Sequence, residues 1–305
     1  MEIRYIRHND IDKGKWDLSI TSAFNGLAYA YSWYLDIMSP GWDALISGDY
    51  EVIMPLSAGK KYGINYVLQP LFVQQLGVFS FKKPDSMMVN NFINSIPARF
   101  RYVEINLNVI NKSEEEGFTL IRNINYILDL IEPYEKIRNK YSDNTKRNVD
   151  KAKKQGLTIG NGIDAAGIVH LFRETAGKPL KILREIHYKR IEQLISFCIF
   201  NDYGQILACY TKEGVLCAAA FIITTHQHSI YILPCSTDTG KDKSAMFLII
   251  DHYIKTNSEK NLVLDFEGSN IEGIARFFSG FGASPYVYLT VKMNRLPFLL
   301  KMFIR

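Results

Sequence analysis

Helical stretches and short strands alternate through the second half of this chain in a definite order, and that order limits the folds open to it. Apolar residues recur every three or four positions in the helical stretches and every two positions in the strand-like runs. An order of this kind predicts a mixed α/β architecture. In chain order, the pattern predicts a helical region at 132–155, a strand at 157–160, a helical region interrupted near Pro179 at 164–200, hairpin strands at 205–211 and 216–225, a strand at 229–235, a helix at 244–257, a strand at 261–266, a helix at 270–281 and a strand at 284–293.

The first half follows a similar order of elements. Its pattern predicts an irregular helical region at 17–38, strands at 42–47, 51–57 and 66–81, the last broken around Gln74, Gln75 and Gly77, a helix at 86–96, and strands at 102–107 and 118–130. The similarity lies in the order of elements and not in the residues. Because 305 residues are about twice the length of a typical domain, we expect two similar units, 1–131 and 132–305.

Composition excludes several classes of protein. Hydrophobic residues make up 47% of the chain, which is enough for a full core and too much for a disordered chain. No stretch approaches the roughly 18 consecutive apolar residues of a transmembrane helix, and the first residues lack the apolar segment of a signal peptide. The net charge of +5 permits an anionic partner without requiring one.

The cysteines and histidines predict neither a disulfide framework nor a metal site. His226 and His228 are two residues apart, but no third ligand lies nearby in the sequence. Each cysteine stands singly in an apolar run, so we expect reduced, buried thiols in a cytoplasmic protein. The four cysteines are Cys198, Cys209, Cys217 and Cys235.

A basic segment at 141–157 predicts a helix with one cationic face. Arg147, Lys151 and Lys154 are spaced at i, i+4 and i+7, which puts all three on the same side of a helix, and Lys146 adjoins them. Such a face can attract phosphate groups. The alternative is an ordinary solvated surface helix.

A polar loop at 236–244 precedes the helix at 244–257. Small residues before a helix leave backbone N–H groups free to bind phosphate, which the helix dipole also favours. The alternative is a polar connection that Ser244 caps. The residues of this loop that we consider as a phosphate site are Ser236, Thr237, Thr239, Gly240, Lys241, Lys243 and Ser244.

Two carboxylates end the strand at 261–266. Alternation puts Asp265 and Glu267 on one face of this strand, opposite an apolar face. Carboxylates at the end of a central strand are costly unless they are solvated or paired, so either one is a candidate general base. The alternative is a structural ion pair of one of them with Arg276 on the following helix.

The element order of each half resembles the GNAT-type N-acetyltransferase fold. Two such units in tandem, with a basic helix between them, resemble the Fem-type aminoacyltransferases that build peptidoglycan cross-bridges. The resemblance covers nearly the whole chain and depends on the basic segment, the polar loop and the strand that ends in Asp265 and Glu267, followed by a Gly-Ser turn and a helix ending in Phe-Gly. The loop does not contain a clear Gln/Arg-x-x-Gly-x-Gly/Ala pattern.

The resemblance implies transfer of an acyl or aminoacyl group to an amine. The donor would be acyl-CoA or an aminoacyl-tRNA, and the acceptor a small molecule or a cell-wall precursor. The loop would hold the donor phosphate, Lys146, Arg147 and Lys151 would extend its positive surface, and Asp265 or Glu267 would be the base. Gln74, Gln75, Ser269 and Arg276 would contact the substrate.

Several alternatives remain open from the sequence. Gln74 and Gln75 are also suited to satisfying a strand irregularity beside Gly77. The basic amphipathic tail at 294–305 is suited either to an anionic membrane or to folding back on its own core. The whole chain is alternatively a non-catalytic ligand-binding module, or an acetyl-CoA-dependent acetyltransferase that uses only its second unit.

Overall fold

The computed structural model describes residues 2–114, 117–160, 162–268 and 270–297. The chain forms two compact units. One contains Met1–Ile124 together with Val287–Arg305, and the other contains the residues between them, 125–286. The predicted division after residue 131 keeps the last strand in the second unit. In the structure, the residues of this last strand from Val287 onward belong to the first unit, because they pair with a strand of the first unit.

The first unit begins with two helices and a series of short strands. The predicted helical region at 17–38 is two helices separated by an irregular segment. The break predicted within the run at 66–81 is present but longer than expected, from Leu68 to Phe79. The elements are β1 (Ile3–Ile6), α1 (Lys13–Ser22), α2 (Ser32–Met38), β2 (Asp43–Ser47), β3 (Val52–Leu56), β4 (Ala58–Lys61), β5 (Ile64–Leu68), β6 (Phe79–Ser80), α3 (Ser86–Asn94), β7 (Phe100–Asn106) and β8 (Thr119–Asp129), which continues into the second unit.

The second unit contains every element that the periodicity predicts. The helical region at 132–155 divides in two because the side chain of Ser142 caps a new helix by accepting a hydrogen bond from Thr145 N–H. The elements are α4 (Tyr134–Asn139), α5 (Asp143–Lys154), β9 (Thr158–Gly160), α6 (Ala165–Glu174), α7 (Glu185–Phe200), β10 (Gly204–Tyr210), β11 (Leu216–Thr225), β12 (His228–Ser236), α8 (Asp238–Asp242), α9 (Ala245–Asn257), β13 (Val263–Gly268), α10 (Glu272–Ser279) and β14 (Ser284–Asn294), which continues into the first unit.

The sheet of the second unit has the strand order β8–β13–β12–β11–β10–β9. Only β12 and β13 are parallel, and the crossover between them includes α9. α9 and α10 contribute to one core cluster with the sheet, in which Phe266, Phe278 and Phe281 are buried. α6 packs against β11 and β12, and α7 packs against β10.

The first unit also contains one parallel strand pair. β5 and β7 are parallel and have α3 between them in sequence, while β4 pairs with β5 and the end of β14 pairs with β7, both antiparallel. A second group has the antiparallel order β1–β2–β3–β6. After β14, Leu296 is buried and Arg295 N–H donates to Arg101 O at 2.8 Å, so residues 294–297 fold back on this unit. The rest of the predicted amphipathic tail, 298–305, lies outside the described residues.

Candidate functional site

The parallel strands β12 and β13 separate after a ladder of three residue pairs. The last pair joins Ile230 to Asp265. Further along β12, a bulge leaves Leu233 and Pro234 opposite a single residue of β11, and Leu233 has a left-handed φ of 53°. We call the space between residues 231–236 of β12 and residues 266–268 of β13 the wedge. It begins where the ladder ends and extends toward the loop that follows β12.

Aromatic rings line the closed end of the wedge. The centroid of the Tyr231 ring lies 6.0 Å from that of Phe266, and Phe266 stacks on Phe278 at 5.0 Å. Tyr231 is buried, and its hydroxyl has no hydrogen-bond partner among the described residues. Burial raises the pKa of Tyr231, so this group stays protonated. A buried donor without an acceptor is costly, and an acceptor oxygen beside it would remove that cost.

Asp265 is buried and bonded on both oxygens. Its Oδ2 accepts from Asn125 Nδ2 at 3.0 Å and lies 2.9 Å from His228 Nε2, and its Oδ1 accepts from Glu267 N–H at 2.7 Å. The expected ion pair with Arg276 is not formed, because Arg276 Nη2 bonds Glu272 Oε1 at 2.6 Å one helical turn away. These contacts fix the Asp265 carboxylate at the point where β13 leaves the ladder.

Glu267 does not continue the predicted alternation. It has a left-handed φ of 62°, and the register of β13 against β8 shifts between Asp265 and Gly268. A left-handed conformation is strained for glutamate and persists only when the surroundings fix it. The bond from its N–H to Asp265 provides one such restraint. Glu267 is half-buried at the edge of the wedge, and Ser269 lies outside the described residues.

The polar loop after β12 folds into the short helix α8, which the sequence did not predict. Thr237 begins it: its Oγ1 accepts from Gly240 N–H at 3.1 Å and donates to Cys217 O, also at 3.1 Å. A Cβ on Gly240 would lie only 2.2 Å from the same Cys217 carbonyl oxygen, so glycine permits the close packing of α8 on β11. Ser236 Oγ donates to Thr237 O at 3.3 Å, and Thr239 is exposed.

α8 uses most of the backbone N–H groups that were expected to hold phosphate. The N–H groups of Lys241, Lys243 and Ser244 donate to carbonyl oxygens of Thr237, Thr239 and Lys241, respectively. Lys241 Nζ also pairs with Asp238 at 2.9 Å. The helix satisfies these donors internally, so the loop leaves fewer free N–H groups for a phosphate than the sequence predicted.

Ser244 joins the start of α9 to the basic helix α5. Its φ is 62°, and it provides no side-chain cap for α9. Instead its Oγ donates to Asn148 Oδ1 at 2.7 Å. The predicted capping by Ser244 is therefore not formed. Without that cap, the first turn of α9 keeps N–H groups that have no partner within the helix.

The basic face of α5 adjoins this junction. On the helix, Asn148 lies about 60° from Lys151 and about 100° from Arg147, and both cations are exposed. With Lys154, Asp150 and Gln155 they line a surface recess of about 400 Å³. Asp150 is neutralised by Arg138 at 3.1 Å. The recess is therefore cationic.

Lys146 does not belong to this recess. Its Nζ donates to Asn139 O at 3.2 Å, at the end of α4. α5 itself is fixed to α9 by Lys153, whose Nζ lies 2.9 Å from the buried carboxylate of Asp251. Tyr134 donates to the same carboxylate at 2.7 Å.

No protein-family model and no curated protein sequence matches this chain. Among solved structures, the crystal structure of FemX superposes with a TM-score of 0.69 at 13% identity and covers 100% of both chains. The structure of L-PGS from Bacillus licheniformis has a TM-score of 0.52 at 11% identity, covering 86% of this chain and 87% of that one. A tandem GNAT protein from the clavulanic acid biosynthesis pathway has a TM-score of 0.51 at 12% identity, covering 97% and 99%. This chain has a Fem-like, tandem GNAT-type fold.

Gln74 and Gln75, which were predicted to contact the substrate, lie in the first unit and form hydrogen bonds within it. Gln75 is buried, donates to Gln74 Oε1 at 2.9 Å and accepts from Val109 N–H at 2.9 Å. These bonds agree with the alternative that the two amides satisfy an irregular strand connection. Sequence reasoning also missed Tyr231 and considered His228 only as a metal ligand; a hydroxyl among mostly apolar residues was the signal for Tyr231, and Ser229 carries one too.

The described part of this Fem-like chain contains no helix that is both long enough and apolar enough to span a bilayer.

Proposed function

We propose that this chain is an N-acyltransferase that moves an acyl or aminoacyl group from a phosphate-bearing donor to an amine. The observation that carries the proposal is the junction of Ser244 and Asn148, which joins the start of α9 to the cationic face of α5. The names of the similar structures, FemX and a tandem GNAT protein, support the same class of reaction. We further propose a cell-wall precursor or another small amine as the acceptor, and a cytoplasmic location.

The available phosphate-binding groups favour an aminoacyl-tRNA over acyl-CoA. α8 consumes the amides that would surround a pyrophosphate, which leaves Arg147, Lys151 and Lys154 and the first turn of α9. A cationic helix face is suited to a polyanion with many phosphates, because each neutralised phosphate releases counterions. Lys243, at the end of α8, would extend this surface.

The wedge provides groups for the acyl transfer itself. The amine nitrogen would attack the activated carbonyl carbon of the bound donor. The bond from that carbon to the donor's ester oxygen or thioester sulfur would then break, and the donor would leave as its alcohol or thiol after taking up a proton. Glu267 is the proposed base that takes the amine proton, and Asp265 holds its backbone in position. The unpartnered hydroxyl of Tyr231 is the proposed donor to the oxygen that develops negative charge.

Donor binding tests this proposal directly. We would measure the affinity of fluorescently labelled tRNA and of coenzyme A for the wild type and for the variant Arg147→Glu/Lys151→Glu, across a salt titration. The tRNA affinity should fall at least tenfold, and the salt slope should decrease by about 0.7–0.9 for each phosphate that the variant no longer neutralises. Lys189→Glu/Lys255→Glu is the matched control, because both lysines are exposed in the same unit and neither lines the recess.

The outcomes separate the rival functions. An equal loss in the control variant would mean that tRNA binds by general charge, and the proposed site would be rejected. Binding of coenzyme A but not tRNA would favour an acetyl-CoA-dependent acetyltransferase. Binding of tRNA together with unchanged acyl transfer in Glu267→Gln and Tyr231→Phe would remove both residues from the mechanism.

A further inference from the structure

The connection between α6 and α7 exposes three large aliphatic side chains. Leu180 is 45% exposed, Ile182 is 65% exposed, and Ile186 in the first turn of α7 is 46% exposed. All three occur within seven consecutive residues of the second unit. Single exposed aliphatic residues are common on protein surfaces, but a group of three in one short segment marks an interaction surface.

Hydrogen bonds within the segment fix this conformation. Gly177 N–H donates to Phe172 O at 2.7 Å, and Leu180 N–H donates to Gly177 O at 2.9 Å. Arg184 N–H donates to His187 Nδ1 at 2.9 Å, which closes the start of α7. The aliphatic side chains are therefore held outward by an ordered series of turns.

Cations surround these aliphatic side chains. The single acid between residues 178 and 190 is Glu185, and its Oε2 lies 2.5 Å from Arg173 Nη2. The guanidinium of Arg173 is in turn held over the ring of Tyr188 at 4.2 Å. The segment therefore has a strong positive charge. Its own cations are Lys178, Lys181, Arg184, Lys189 and Arg190.

We propose that this basic apolar patch, formed by Leu180, Ile182, Ile186 and the five cations, docks the protein on an anionic lipid bilayer. The aliphatic side chains would enter the interface, and the cations would meet lipid phosphates. Charge complementarity selects an anionic surface. Exposed aliphatic side chains select a bilayer over RNA, since RNA-binding surfaces use aromatic rings to stack on bases.

The docking proposal is independent of the proposed donor site. The basic face of α5 belongs to a different helix and carries no exposed large aliphatic residue. Arg147→Glu/Lys151→Glu should therefore lose tRNA and keep its affinity for vesicles. Variants of the patch should lose vesicles and keep tRNA.

Vesicle flotation tests the proposal with the full chain. Vesicles of phosphatidylcholine with phosphatidylglycerol should bind the protein, binding should weaken with salt, and pure phosphatidylcholine vesicles should bind far less. Leu180→Gln/Ile182→Gln should lower affinity about tenfold. Phe200→Gln is the matched control: Phe200 is 87% exposed, but it lies at the other end of the 16-residue helix α7, about 24 Å away.

An environment-sensitive dye reports which segment enters the lipid. Attached at Ile182→Cys, it should brighten on anionic vesicles, while the same dye at Phe200→Cys should not change. Equal binding of the double variant and the wild type would overturn the proposal. So would a dye at position 182 that responds to RNA and not to vesicles, or an equal response at position 200.

Discussion

Each unit has one parallel strand pair flanked by antiparallel strands, but the two pairs differ in what happens after the parallel ladder ends. In the first unit, β5 and β7 remain connected after their ladder ends at Leu68. Gln69 Oε1 accepts from Asn106 N–H at 2.9 Å, and Leu76 N–H donates to Asn106 O at 3.0 Å. In the second unit, β12 and β13 separate beyond Ile230, and the aromatic rings of Tyr231 and Phe266 follow.

Side-chain amides account for this difference. In the first unit, Asn106 Nδ2 donates to Gln74 O at 2.8 Å and Asn108 Nδ2 donates to Leu76 O at 3.0 Å, so amides replace the missing ladder bonds. In the second unit, the residue that follows the end of the ladder is Tyr231, whose hydroxyl has no partner among the described residues. The same strand–helix–strand arrangement thus gives a closed structural element in one unit and a candidate ligand site in the other.

The largest effect is expected from Asp265→Ala in the second unit. The substitution leaves three donors without their acceptor, and we expect a loss of about 3 kcal/mol in the free energy of unfolding. Urea titration of the variant and of Asp265→Asn measures it, with the amide expected to lose less because it keeps one acceptor oxygen. If alanine costs no more than the amide, the carboxylate does not fix the start of the wedge.

Asn106→Ala tests the first unit, in which side-chain amides connect the strands beyond the end of the ladder. Asn106 bonds Gln74 O through its amide nitrogen and accepts from Thr290 Oγ1 at 2.7 Å, so we expect a loss of about 2 kcal/mol. Hydrogen exchange should increase across residues 69–78, while donor affinity should not change. A fall in donor affinity comparable to that of Arg147→Glu/Lys151→Glu would mean that both units bind the donor.

Tyr231→Phe should have effects of opposite sign on stability and activity. It removes a hydroxyl without a partner, so the free energy of unfolding should rise by about 1 kcal/mol, while acyl transfer should fall. Tyr253→Phe is the control, because that hydroxyl donates to Ser229 Oγ at 2.7 Å and its loss should destabilise. Thermal unfolding measures both variants. A change in the free energy of unfolding with the same sign for Tyr231→Phe and Tyr253→Phe would contradict this prediction.

The smallest effect is expected from Lys146→Gln. Lys146 contacts the end of α4 and not the cationic recess, so tRNA affinity should change less than about twofold and stability by less than about 0.5 kcal/mol. Lys151→Gln, measured in the same binding assay, should lower the tRNA affinity more than Lys146→Gln does. Equal losses of tRNA affinity in the two variants would mean that Lys146 also contributes to donor binding.

The sequence predicted elements better than it predicted contacts. Periodicity identified β12, α9, β13 and α10 within a few residues, because each buries an apolar face. It missed α8, because the five residues of this helix are four polar residues and a glycine and show no apolar period. The cations of α5 were predicted correctly as one face, since helical spacing alone determines which side they share.

Contacts between distant residues could not be predicted in this way. Asn125 lies 140 positions before Asp265, and His228 lies 37 positions before it, so only the folded sheet brings these side chains to one carboxylate. The bulge at Glu267 interrupts the alternation on which the two-carboxylate prediction depended. No local pattern distinguishes a strand that ends in a left-handed residue from one that continues.

The return of β14 to the first unit determines when that unit can be completed during synthesis. Thr290 donates a hydrogen bond to the side chain of Asn106 and is its partner in the antiparallel ladder. Asn106 leaves the ribosome 184 residues before Thr290 does. Residues 125–286 have all been made before that partner emerges, so the second unit can reach its final contacts first. A chain cut after residue 131 would contain β7 with its partner β5 but without its other partner, β14, and the half that is translated first would be the half that folds last.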